Sequence, residues 1–152
     1  MAGSQFAAVV DALLALWQPL DTAGTVDLFD GVEGRADDAL AILVVGHTGE
    51  DDSIDFEQEV GPLGTTRPKD EITTVPCLLR VWTGDEAPAT CRASAKTLYD
   101  TVQNLVRDTP GLAMASSLSV RTQITGGSYK QPLTDRGRAG EIRFTVRVTC
   151  RI

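Results

Sequence analysis

The chain has 152 residues, 42% hydrophobic and 23% charged, the balance of a soluble globular protein able to bury roughly two thirds of its unfolded surface as one domain. It contains no apolar run of the roughly eighteen residues needed to span a membrane. A net charge of −7 and a single histidine argue against a general nucleic-acid binder and against the common His-rich zinc sites.

Ser4 is a good helix N-cap, and Phe6, Val9, Val10, Leu13, Leu14 and Trp17 recur at helical spacing, so an amphipathic helix is predicted to run until Pro19 stops it. The stretch is apolar enough to suggest a signal peptide. However, no Lys or Arg precedes it and Asp11 sits in its middle, so secretion is not expected. Thr25–Phe29 reads as a short strand closed by Asp30-Gly31. Ala39–Val45 is a continuous apolar run, short enough for a central strand. Residues 46–70 break the pattern with glycines, prolines and acids, leaving only a weak alternation through Ile54, Phe56 and Gln58. A connection of this length is unusual unless functional or mobile, and a loose β-arm is expected.

Glu71–Trp82 is a long strand with Val75, Cys77, Leu79 and Val81 on one face, where Pro76 predicts a bulge or an edge position. Thr83-Gly84-Asp85 turns into a second helix. Its apolar face is Cys91, Ala95, Leu98, Val102 and Leu105, flanked by Tyr99 and Val106, and its wet face is Arg92, Lys96, Asp100, Gln103 and Arg107. After Thr109-Pro110-Gly111, Leu118, Val120 and Ile124 alternate with polar residues in a third strand. Gly126–Gly140 reads as a polar loop holding Lys130, Arg136 and Arg138.

The last stretch, Ile142–Ile152, alternates without a break. A period of two places Ile142, Phe144, Val146, Val148, Cys150 and Ile152 on one buried face, and Arg143, Thr145, Arg147, Thr149 and Arg151 on the other. The element order predicts an α+β fold: an antiparallel or mixed sheet with two helices packed on one face, long β-arm loops and a closing hairpin with an oversized tip.

Charge divides along the chain. Residues 1–76 hold fifteen acids and three bases, and residues 77–152 hold six acids and eleven bases. Either an acidic surface meets a basic one in head-to-tail or ring-like association, or the two halves interleave and the asymmetry vanishes on folding.

Signatures of chemistry are sparse. Gly-x-Ser-x-Gly is absent, and neither Gly61–Thr65 nor Gly126–Lys130 has P-loop spacing. Cys77, Cys91 and Cys150 lack metal spacing and read as reduced, buried thiols. His47 stands alone after a strand and reads as a loop residue more than a catalyst. Asp51, Ser53 and Asp55 mimic the start of a calcium loop, but Phe56 stands where Gly is needed and Pro62 where the bidentate Glu belongs. The stripe Arg143, Arg147, Arg151 is either a basic ridge for DNA or the wet face of a half-exposed sheet, and the second fits better.

The order of segments resembles the tail terminator and minor tail proteins of long-tailed bacteriophages, prophages and gene-transfer agents, in the version found in phages of actinobacteria. The resemblance covers nearly the whole chain. It runs through the N-terminal helix, Phe29-Asp30-Gly31, Val44-Val45-Gly46, Glu57–Gly64, Arg67–Glu71, Thr74-Val75-Pro76-Cys77, Val81–Asp85, the helix with Arg92 and the closing hairpin. It implies a non-enzymatic virion protein, made in the host cytoplasm and resident in the tail. Such a protein forms a homohexameric ring that caps the tail tube, ends its polymerisation and offers a surface for head joining.

The implied partners are other copies of the chain, the tail tube protein and a head-completion or neck protein. DNA passes through the ring without specific binding, and neither a membrane nor any cofactor is involved. Candidate assembly contacts are the charged residues of the two long polar segments and the last strand: Asp51, Asp52, Asp55, Glu57, Glu59, Arg67, Lys69, Lys130, Arg136, Arg138, Arg143 and Arg147. The alternatives are another neck or tail-completion protein (a head-tail connector) and a divalent-metal-binding module or enzyme that uses the acids of residues 50–59.

Overall fold

The computed structural model describes residues 4–31, 40–46, 53–58, 70–84, 87–112, 114, 120–134 and 136–151. Its elements run α1 (Phe6–Thr22), β1 (Asp27–Asp30), β2 (Ala41–Val45), β3 (Asp55–Gln58), β4 (Asp70–Gly84), α2 (Pro88–Asp108), β5 (Val120–Lys130), β6 (Leu133–Thr134) and β7 (Gly137–Arg151). The fold is α+β, with the strands in one mixed sheet of order β1-β2-β4-β7-β5, β3 lying beside β4 and β6 beside β7. Among the described residues only β1 and β2 pair in parallel.

The two longest strands, β4 and β7, form the centre. They pair in register from Asp70 opposite Arg151 to Trp82 opposite Ala139. Side chains alternate across a strand, so each contributes one face to the helices. That face takes Val75, Cys77 and Leu79 from β4, and Phe144, Val146, Val148 and Cys150 from β7, all buried. The alternation read in the last stretch is therefore the core face of β7. Ile142 is only half-buried, and Ile152 lies outside the described residues. The apolar run of β2 is buried throughout, as a central strand requires.

Both helices pack on this one face. Helix α1 buries Val9, Val10, Leu13 and Trp17, and the Trp17 indole N–H donates to the Val102 carbonyl at 3.2 Å. Trp17 and Tyr99 each meet the Phe144 ring edge-on, at centroid distances of 6.2 and 5.5 Å, which ties both helices to β7. Helix α2 comes so close to β7 that a Cβ at Gly140 would stand 3.0 Å from the Ala95 Cβ and 3.3 Å from the Cys91 carbonyl. Its buried stripe is Cys91, Ala95, Val102 and Val106. Leu98 and Leu105, read from the sequence as core, are half-buried at its margin.

Several local expectations are corrected. Pro19 does not stop α1, which continues to Thr22. Placed in the last turn, proline forfeits one helical hydrogen bond, and its carbonyl still accepts from the Ala23 N–H at 3.0 Å. Ser4 is not the cap. The Ser4 hydroxyl and the Gln5 N–H both donate to Glu71 Oε1, at 3.0 and 2.6 Å, so a fully buried carboxylate on β4 meets the positive end of α1. Gln58 on β3 donates to the other oxygen at 2.9 Å, and Phe56 stacks on Phe6 at 4.8 Å. Of the expected β-arm, Ile54 to Gln58 is thus anchored to α1 and β4. Residues 47–52 and 59–69 lie outside the described residues.

Pro76 marks neither a bulge nor an edge strand, since β4 is central. Its carbonyl accepts from the Gly46 N–H, so its own missing donor points to the same side, at the junction where β2 gives way to β3. Proline there forgoes one bond at the end of the β2 ladder and leaves the pairing with β7 intact.

The polar loop expected at Gly126–Gly140 is mostly strand. Gly126–Lys130 continues β5, residues 133–134 form β6, and β7 already begins at Gly137. Glycine and serine have poor strand propensity, but pairing with β7 overrides it once a bulge between Ile124 and Gly126 resets the register. A Cβ at Gly127 would stand 3.1 Å from the Arg143 carbonyl, so glycine eases the close approach of the two strands there.

Leu13→Ala should cost about 2–5 kcal/mol, the range for a fully buried leucine, and Leu98→Ala clearly less, by urea denaturation. Equal costs would contradict the placement of the core. Glu71→Ala should cost about 1–3 kcal/mol. It should speed amide exchange in the first turn of α1 and leave β7 protected, and a uniform change across both would refute its local role.

Candidate assembly surface

The side chains on the far face of the sheet, opposite the helices, follow from register, because residues directly opposite one another share a face. One row crosses Asp27, Ile42, Arg80, Glu141 and Lys130. A second crosses Asp55, Thr74, Arg147 and Gln123, and a third Glu57, Ile72, Thr149 and Arg121. Apart from the Arg80–Glu141 pair in the middle of the first row, the acid of each row lies on β1 or β3 at one side and the base on β5 or β7 at the other. The charge asymmetry of the chain therefore survives folding on this face. It does so because β1 and β3 come from the acidic half of the sequence, and β5 and β7 from the basic half.

The middle of the face is different. Glu141 is 4% exposed and takes Arg80 on Oε2, at 2.7 and 3.0 Å from two guanidinium nitrogens. Arg143 pairs with Oε1 at 2.9 Å. Two cations on one buried carboxylate make a rigid unit, since each oxygen keeps a charged donor. Beside it lies an apolar cluster of Ile42, Val44 and Leu78, flanked by Phe29 and Trp82. Arg136 sits over the Trp82 ring at 4.3 Å and Arg80 at 5.8 Å. At the opposite end, Asp70, Arg121, Thr149 and Arg151 line a notch of about 200 Å³, with Arg151 and Asp70 paired at 3.3 Å.

The structure separates the candidates read from sequence. Asp55 and Glu57 are exposed on β3, with Asp55 accepting from the Ser53 hydroxyl at 2.9 Å. Arg147 is exposed, and Arg143 is engaged by Glu141. Lys130 lies at the end of β5, Arg138 is half-buried on β7 and Arg136 is held on Trp82. Asp51, Asp52, Glu59, Arg67 and Lys69 lie outside the described residues, as does His47. Sequence reading missed Arg80, Glu141 and Arg121. A charge inside an otherwise apolar strand is the signal that marks the first two, but only register reveals that they meet.

Among the described residues, no cluster of three acids, histidines or cysteines has the arrangement to hold a metal ion. All three cysteines are buried, and none is in a disulfide. Burial pushes the Cys150 thiol up, and the nearby Glu71 charge adds to it, so this sulfur stays protonated and unreactive at neutral pH. A groove of about 520 Å³ between α2 and the β2–β4 region is lined by residues such as Leu40, Val81, Ser94 and Thr97, and among the described residues no titratable side chain lines it. No helix among the described residues is long and apolar enough to cross a membrane.

No protein-family model matches this chain, and no curated protein matches it either. Among solved structures, the fold is similar to a chain of the virion of a native gene transfer agent particle, with a TM-score of 0.63 at 12% identity. The similarity covers 99% of this chain and 100% of that one. At that identity what is shared is the fold, from end to end.

Glu141→Gln should cost about 1–3 kcal/mol in chemical denaturation, because two half-buried guanidiniums lose their counter-charge. Arg147→Gln, on the exposed part of the same face, should fall within about 0.5 kcal/mol of wild type. A reversal of that order would refute the division of this face into a buried ion cluster and a solvated rim.

Proposed function

We propose that this chain is a structural component of a phage-like virion and, within it, the tail terminator: a single domain over residues 1–152 that forms a ring on the last tube ring of the tail. In that place it ends polymerisation and presents a surface for the head-completion protein. The observation that carries the virion reading is the end-to-end match of the fold with a virion chain, neither protein leaving an unmatched domain. The order of segments that resembles tail terminators supports the finer assignment, and the charge-divided far face supports assembly with copies of itself. The role is binding without turnover, and it requires neither metal nor cofactor.

Capping requires one face that imitates the tube's own contact and another that refuses a further ring. Deleting the gene from its phage or prophage should leave filled heads and tube subunits intact while giving tails of irregular, excessive length that fail to join heads, seen by negative-stain electron microscopy. Infectious particles with normal tails would overturn the terminator assignment. Tails of correct length that merely fail to attach would favour the neck or tail-completion protein instead.

A further inference from the structure

We propose that copies of this chain join edge to edge, the acidic β1–β3 side of one sheet against the basic β5 side of the next. This rests on the ring-forming reading above and adds which surfaces meet. Among the described residues β5 pairs only with β7, β1 only with β2, and β3 only with β4, so these are the edge strands of the described sheet. An eleven-residue edge strand such as β5 is a template for another strand unless something blocks it.

Strand direction favours this partner. β5 and β4 both run antiparallel to β7 and so share a direction, whereas β1 and β3 run opposite to β4. A neighbour related by rotation about a ring axis keeps the sense of its strands along that axis. Its β5 therefore meets β1 or β3 antiparallel, the commoner arrangement, with the helices of both copies on the same side of the joined sheet.

Charge selects the same pairing. The rows across the far face place Glu57 level with Arg121, Asp55 level with Arg147, and Asp27 level with Lys130. A neighbour's β5 held in step against β3 brings Arg121 to Glu57 and Gln123 to Asp55 with Arg147 one strand behind, and held against β1 it brings Lys130 to Asp27. Two copies meeting through the same edge would bring acid to acid or base to base, which disfavours a closed twofold dimer. The contact is thereby directed head to tail, the kind that closes rings.

The test is charge reversal with complementation in the full chain. One variant carries Arg121→Glu and Arg147→Glu, the other Asp55→Lys and Glu57→Lys. Each alone presents like charges at both edges and should weaken self-association about tenfold or more by light scattering, with circular dichroism unchanged. Mixed in equal amounts, the two should restore the oligomer, because every contact in an alternating ring is again acid to base.

Reversed variants that assemble as well as wild type, or a mixture that stays dissociated, would overturn the edge proposal and leave the ring reading standing. Wild-type chain that stays monomeric both alone and on tube ends would instead sink the ring reading. Should a reversed variant fail to fold, the milder Arg121→Gln/Arg147→Gln pair takes its place. A weakened oligomer supports the contact, and an unchanged one overturns it.

Discussion

The constraint on which the rest depends is the antiparallel ladder between β4 and β7. Two strands of fifteen residues, held in register over almost their full length, fix which side chains look toward the helices and which look away. A slip of one residue would turn Phe144, Val146 and Val148 to the far face and Arg143 and Arg147 into the core. The buried charges would then have no partners, so the register is specified from both sides of the sheet. On the helix side the Phe144 ring receives Trp17 and Tyr99. On the far side Glu141, opposite Arg80, is closed in by Arg143.

From that ladder the sheet grows outward in two directions of unlike character. Toward β1 and β3 it gathers acids, and toward β5 it gathers bases, because the elements are drawn from the two halves of the chain without interleaving. The buried Glu141 cluster contributes rigidity more than recognition. Its charges are already committed to each other, and a desolvated ion group of this kind fixes geometry better than it attracts a partner. The charges at the rims are solvated instead. Exposed charges such as Glu57 and Arg121 are individually weak, but charges of this kind set the orientation of a contact more than its strength.

Parts of this arrangement were legible in the residues. The alternation in Ile142–Cys150 named the core face of the last strand, the helical spacing of Val9, Leu13 and Trp17 named the buried side of α1, and the unbroken run ending at Val45 named a strand buried on both faces. Gly126–Lys130 was not legible as strand. Its composition argues for a turn, and only the long-range ladder with β7 makes it extended. Pro76 misled for a related reason, because a missing donor says that a bond is absent and not that the strand lies at an edge. Leu98 misled by degree: helical periodicity gives the direction of a face but not where on that face the sheet touches.

The sequence by itself determined the fold class, the two helices and the direction of their inner faces, the long alternating strands, and the division of charge between the halves. These are properties of periodicity and composition, which act over a few residues or sum over many. Only the tertiary structure decided that Glu71 would cap α1 from sixty-six residues away, that Glu141 would bind Arg80 and Arg143 in one buried cluster, and that acids and bases would stand level across one face. Each of these depends on strand order and register, which are set by which non-local pairing buries the most apolar surface without stranding a charge, and no local pattern encodes that competition.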